Sequence, residues 1–145
     1  MKKYIITSLI ILCANIVTAQ DSCHLKAVIT SDKMELTCKG KTTTLNAVTT
    51  ITINQLSVVM EINMMGYLKH SYFMITKSDS CRKTETGFEN TYQIEELPQG
   101  DEEITNGRSI LKISKSQDSY TFDITGLKKN ECSTKFIVTS YKSAE

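Results

Sequence analysis

Along most of the chain, apolar and polar residues alternate with a period of two. The segment Ser119-Tyr120-Thr121-Phe122-Asp123-Ile124-Thr125 puts Tyr120, Phe122 and Ile124 on one face and the hydroxyls with Asp123 on the other. That is the pattern of a β-strand with one buried and one wet side. Met34, Leu36 and Cys38 alternate with Glu35 and Thr37, and Leu111 and Ile113 with Lys112 and Ser114. Thr49, Ile51 and Ile53 stand opposite Thr50 and Thr52. Abundant Thr, Ile and Val agree, because β-branched side chains suit a pleated surface.

Turn signals interrupt the alternation at short intervals: Ser31-Asp32, Lys39-Gly40, Asn63 to Gly66, Ser78-Asp79-Ser80, Pro98-Gln99-Gly100, Asn106-Gly107, Gln117-Asp118 and Gly126. The predicted strands are 24–30, 34–38, 43–53, 56–62, 67–76, 89–97, 108–115, 119–125 and 132–141. No window has the period of an amphipathic helix. The expected fold is all-β: a single-domain antiparallel β-sandwich of immunoglobulin-like type, with about eight or nine strands. Residues Tyr120 to Leu127, followed by Phe136 to Tyr141, resemble the last strands of a fibronectin type III module. The chain departs from that module in having no tryptophan and one proline. The Gly-x-Trp opening of lipocalin-type barrels is also absent, which leaves the sandwich as the preferred expectation.

The first residues follow a different rule. Lys2 and Lys3 precede an apolar run from Ile5 to Ile16, and Val17-Thr18-Ala19 supplies short residues before Gln20. This is the layout of a secretory signal peptide, with cleavage expected after Ala19. The run is shorter than the roughly 20 apolar residues of a membrane-spanning helix. Cys13 follows Leu12 rather than a small residue, which argues against a lipoprotein anchor. Residues 1–19 are thus read as a cleaved signal and 20–145 as one secreted domain without a membrane span, extracellular or, in a bacterium, periplasmic.

Loss of the signal leaves fifteen basic against sixteen acidic residues, a net charge of −1. Such a balance provides no electrostatic drive towards nucleic acid. Four cysteines remain: Cys23, Cys38, Cys81 and Cys132. An even number in a short exported chain reads as two disulfides, and the wide spacing does not suit zinc. A hairpin at Ser31-Asp32-Lys33 would pair Cys23 with Cys38 and leave Cys81 for Cys132. The second choice joins Cys23 to Cys132 and Cys38 to Cys81.

Catalytic chemistry finds no constellation. His24 adjoins Cys23 and His70 lies mid-strand, neither in a recognisable nucleophile motif. Glu95 to Glu103 carries five acids in nine residues, but lacks the spacing of a calcium loop. Every Asn-x-Ser/Thr position is missing, so no N-linked sugar is expected. No enzyme activity, metal or cofactor is expected.

The most unusual stretch runs from Leu56 to Ile75 and holds four of the five methionines that follow the signal. Val58, Met60, Met64, Met65, Tyr72 and Met74 are the candidate binding residues, since methionine suits adaptable apolar contacts. Two functions compete. One is a secreted, non-enzymatic interaction protein, effector- or toxin-like, acting on an extracellular protein through an exposed apolar patch. The other is a secreted carrier of a lipid or other small apolar ligand. In size and signal-peptide layout the chain is similar to ML-type lipid-recognition sandwiches, a likeness that implies a cavity lined from 56–75 and by Phe122, Ile124 and Phe136.

Overall fold

A computed structural model of the chain describes residues 25–100, 107–127 and 132–143. The signal segment and Cys23 lie outside the described residues. Eight strands follow one another: β1 (Ala27–Cys38), β2 (Lys41–Asn54), β3 (Ser57–Met64), β4 (Tyr67–Thr84), β5 (Gly87–Glu96), β6 (Arg108–Ser116), β7 (Ser119–Gly126) and β8 (Ser133–Ser143). Each pairs antiparallel with the next, and β8 returns to pair with β1. The result is a closed up-and-down barrel, not a sandwich. Its all-β content and alternation are those of the sequence. Closure comes from the ladder Ala27↔Ser143 to Thr37↔Ser133, which joins the two ends of the domain and leaves no free sheet edge.

Two turn signals proved to be bulges. Ser31-Asp32 does not reverse the chain; β1 runs straight through it, with register shifts against both neighbours between Ser31 and Lys33. The Ser31 hydroxyl donates to the Lys33 carbonyl at 2.6 Å, holding the extra residue. The expected strands 24–30 and 34–38 are therefore parts of one. Likewise β4 continues through Ser78-Asp79-Ser80, bulged between Ile75 and Lys77 and again between Ser78 and Ser80. Gln93 Nε2 donates to both Asp79 oxygens, at 3.1 and 2.9 Å, while Lys77 Nζ lies 2.8 Å from Asp79. The Lys77 contact, and after it the Gln93 bonds, hold the Asp79 carboxyl below its ordinary value. Bulges of this kind bend and coil strands as barrel closure requires.

The tight turns follow residue chemistry. Lys39-Gly40 and Met65-Gly66 both take positive φ at each position (49° and 77°; 51° and 85°), the type I′ geometry that matches strand twist. Gly87, opposite Ser116, has a different reason to be glycine: a Cβ there would run into the Lys115 carbonyl.

Inward positions are apolar and outward positions largely polar. Ile29, Ile51, Ile53, Val58, Ile94, Leu111, Ile113, Phe122 and Phe136 are buried inside. Outside, β1, β8, β7 and β6 carry Glu35, Lys135, Asp123 and Lys112 in register, alternating in sign, and Lys112 reaches Glu89 of β5 at 3.1 Å. Burial raises the Asp123 carboxyl, opposed by Lys135 and Lys112. β3 and β4 differ from this charged row, carrying exposed Met64, Tyr67, Leu68, Tyr72 and Met74. Among the described residues, no helix is long and apolar enough to cross a membrane.

Cys38 and Cys132 form a disulfide. This excludes both expected pairings: Cys23–Cys38 required a hairpin that is a bulge, and neither scheme placed Cys38 beside the residue before β8. The bond extends the closing ladder one step beyond Thr37↔Ser133 and spans 94 residues of sequence. Cys81 is also disulfide-bonded.

Two outcomes are expected. Replacing both Cys38 and Cys132 by Ser should lower unfolding free energy in urea by about 2–4 kcal/mol, because the long unfolded loop is released. Gly87→Ala should cost about 1–3 kcal/mol by the same measurement, through overpacking against Lys115; an unchanged midpoint would mean the strand shifts freely.

Candidate functional site

The barrel is filled at one end and hollow at the other. The filled end carries the β2–β3, β4–β5 and β6–β7 turns. Tyr120 and Tyr141 stack there with ring centres 4.3 Å apart, Phe88 meets Tyr141 at 6.3 Å, and the Lys115 ammonium sits 5.4 Å from the Tyr120 ring centre. Phe122 and Phe136 make an edge-to-face pair at 5.5 Å, deeper in. Tyr92 is buried, and its hydroxyl accepts a hydrogen bond from Asn90 Nδ2 at 3.1 Å.

Towards the other end the inward residues become small. Ser71 on β4, Ser109 on β6, Gly126 on β7 and Thr134 on β8 stand where the filled half has rings and branched chains. They cannot meet across the barrel axis, and a cavity of about 510 Å³ is left. An eight-stranded barrel is just wide enough for side chains to fill or for one small ligand to occupy. Met34, Leu36, Met60, Ile62, Phe73, Ile124 and Phe136 supply the apolar wall, and the Cys38–Cys132 bridge lies beside it.

A polar corner breaks this wall. Glu96 is the last residue of β5 and has the inward parity of Asn90, Tyr92 and Ile94. Its register partner on β4 is Phe73, two residues from Ser71. Its own backbone N–H bonds Gly107 O at 3.2 Å, two residues before Ser109. Ser71, Glu96 and Ser109 therefore occupy three adjacent strands at the cavity. Glu96 Oε2 is buried and has no hydrogen-bond partner among the described residues. Lys69 lines the cavity further out, two residues from Ser71, and is exposed. The segment after β5 is strapped to β4: Leu97 N–H bonds Tyr72 O and Gln99 Nε2 bonds His70 O, each at 2.8 Å.

The six candidate residues do not form one site. Val58 is buried in the core and Met60 lines the cavity, whereas Met64, Met65, Tyr72 and Met74 are exposed. Met65, at the β3–β4 hairpin tip, is 100% exposed. The methionine-rich stretch divides because strand parity sends successive residues to opposite sides. Of the lining expected for a carrier, Met60, Ile62, Phe73, Ile124 and Phe136 are present, while Phe122 lies outside it. Ser71 falls within the expected 56–75 stretch, whereas Glu96, Ser109 and Thr134 were not anticipated. Glu96 was masked by its place in an acidic run; its parity with Ile94 and Tyr92 was the available signal. Residues 101–103 of that run lie outside the described residues.

His70 is on the outer wall, 3.6 Å from Glu61, its cross-strand partner, and stacks on Tyr72 at 6.5 Å. It faces away from the cavity. No group of His, Cys, Asp and Glu among the described residues could hold a metal ion. No protein-family model matches the chain, and no curated protein or solved structure matches it either.

Burial raises the Tyr92 hydroxyl above its ordinary value of 10.0, and the Asn90 bond opposes that. Tyr141 is raised by burial and by its tyrosine neighbours. Above pH about 10 the unfolded chain then loses protons that the folded chain keeps, so stability falls as pH rises. Urea midpoints should decline as pH rises past about 10. Tyr92→Phe should reduce the decline; an equal slope in the variant would assign it elsewhere.

Proposed function

We propose that this protein is a secreted, non-enzymatic carrier that holds one small, mainly apolar molecule inside its barrel. The carrying observation is the one-ended cavity: about 510 Å³, apolar on most of its wall, with a few converging polar groups. Small-molecule sites are typically concave pockets of roughly 300–1,000 Å³ with this composition. By analogy of architecture alone, closed eight-stranded up-and-down barrels such as lipocalins hold ligands in the same place. The signal-like N-terminus supports export, and the Cys38–Cys132 disulfide is compatible with an extracellular or periplasmic setting. An ML-like sandwich is not the scaffold; the carrier reading rests on the barrel instead.

A second reading, an interaction protein, is favoured by the exposed Met65, Tyr67 and Leu68 on the β3–β4 hairpin. Exposed apolar residues gathered on one element are a feature of contact surfaces.

The two readings separate with a neutral fluorescent probe, N-phenylnaphthylamine. The carrier reading expects saturable binding at one probe per chain, lost in Ser71→Leu/Ser109→Phe, whose side chains fill the hollow, with the urea midpoint retained. Absence of saturable binding in the unaltered protein, or full binding in the filled variant, would overturn it.

A further inference from the structure

The carrier reading leaves the ligand's polar group open, and the cavity wall addresses it. Among the described residues, Lys69, Ser71, Glu96, Ser109 and Thr134 bring polar groups to the hollow. Lys69 is exposed at the outer rim, where water solvates its ammonium and weakens any ion pair it makes. Thr134 lies on β8, next to apolar Leu36 and Ile124 across its two ladders. Glu96 differs from both: it lines the cavity, one oxygen is sealed from water, and no donor in the described structure reaches that oxygen. No ion pair links it to Lys69 or to any other described cation. A buried acceptor without a partner is costly, and more so when it is a carboxylate. Ser71 and Ser109, both buried and each on a strand beside β5, add hydroxyls to the same corner.

We infer that the ligand is an amine-bearing amphiphile, whose protonated amino group is held by Glu96, with Ser71 and Ser109 beside it, and whose apolar body lies against Met34, Met60, Phe73 and Phe136. An ammonium satisfies the carboxylate as a charge-assisted donor and offers further protons to the serine hydroxyls. A ligand carboxylate would bring like charge to Glu96 inside a half-closed apolar cavity, where repulsion is less screened than in water. An alcohol would satisfy one acceptor without neutralising the charge. The expected order of affinity is therefore amine, alcohol, carboxylate for one common chain.

The test is displacement of N-phenylnaphthylamine from the oxidised protein at pH about 7 by dodecylamine, dodecanol and dodecanoate, where the amine is protonated and the acid ionised. Dodecylamine should bind about tenfold or more tightly than dodecanol, the scale of a charge-assisted hydrogen bond. Glu96→Gln should bring dodecylamine and dodecanol to within about twofold of each other, and an unaltered circular dichroism spectrum shows that the variant folds. Dodecanoate binding tighter than dodecylamine, with the preference lost in Lys69→Met, would overturn the inference and assign the head group to the rim. Equal binding of dodecylamine to the unaltered protein and Glu96→Gln would overturn it as well. Either result leaves the carrier reading standing, since dodecanol still binds; failure of all three and of the probe removes both.

Discussion

Everything in this barrel depends on the ladder between β1 and β8. Pairing of neighbours along the chain builds only a curved meander with two open edges, each a row of unsatisfied N–H and C=O groups. The contact between Ala27–Thr37 and Ser133–Ser143 satisfies both rows at once and turns one apolar face into an enclosed interior. It is also the pairing of greatest sequence separation, and so the one with the largest loop-closure entropy to overcome. The Cys38–Cys132 bridge lies at one end of this seam, where it restricts that entropy in the unfolded chain. The bulges at Ser31–Lys33 and in β4 serve the same closure by coiling strands that would otherwise lie too flat.

Once closed, the interior is packed unequally at its two ends. Rings and branched chains occupy the end capped by Tyr120, Tyr141 and Phe88, where the rings pack against one another. Serine, glycine and threonine at the other end forgo that packing. A hollow of this size lacks the contacts a filled core would make, which weakens the fold locally unless something else occupies it. The same end holds a carboxylate oxygen, Glu96 Oε2, without a donor among the described residues. Incomplete packing and incomplete hydrogen bonding thus coincide at one place, which is what the proposed carrier function rests on.

The outer wall explains why the methionine-rich stretch divides. Its strands carry apolar residues on both faces, but the inner ones join the core or the cavity and the outer ones meet solvent. Met60 and Met65 belong to neighbouring turns of sequence and to opposite environments, one lining the cavity and one fully exposed. Elsewhere the exterior is charged and paired by register, as in the Glu35, Lys135, Asp123 and Lys112 row. Such exposed pairs favour this register over others more than they add to stability.

Period-two alternation is local, written in each strand by which residues must avoid water, and so the sequence alone determined the all-β class, most strand positions and the presence of turns at Lys39-Gly40 and within Asn63 to Gly66. It determined which side chains of β6 and β7 point inward, down to Leu111, Ile113 and Phe122. Turn-forming residues were ambiguous, because Ser and Asp serve a bulge as readily as a reversal; Ser31-Asp32 became a bulge, and the Cys23–Cys38 pairing that depended on a hairpin there went with it. The sandwich expected from the sequence was wrong for the same kind of reason, since sandwich and barrel present the same alternation and differ in long-range strand pairing. That choice, the partner of Cys38, and the meeting of Ser71, Glu96 and Ser109 at one hollow are long-range facts. Only closure of the sheet decided them, because it brings together residues that no local pattern relates.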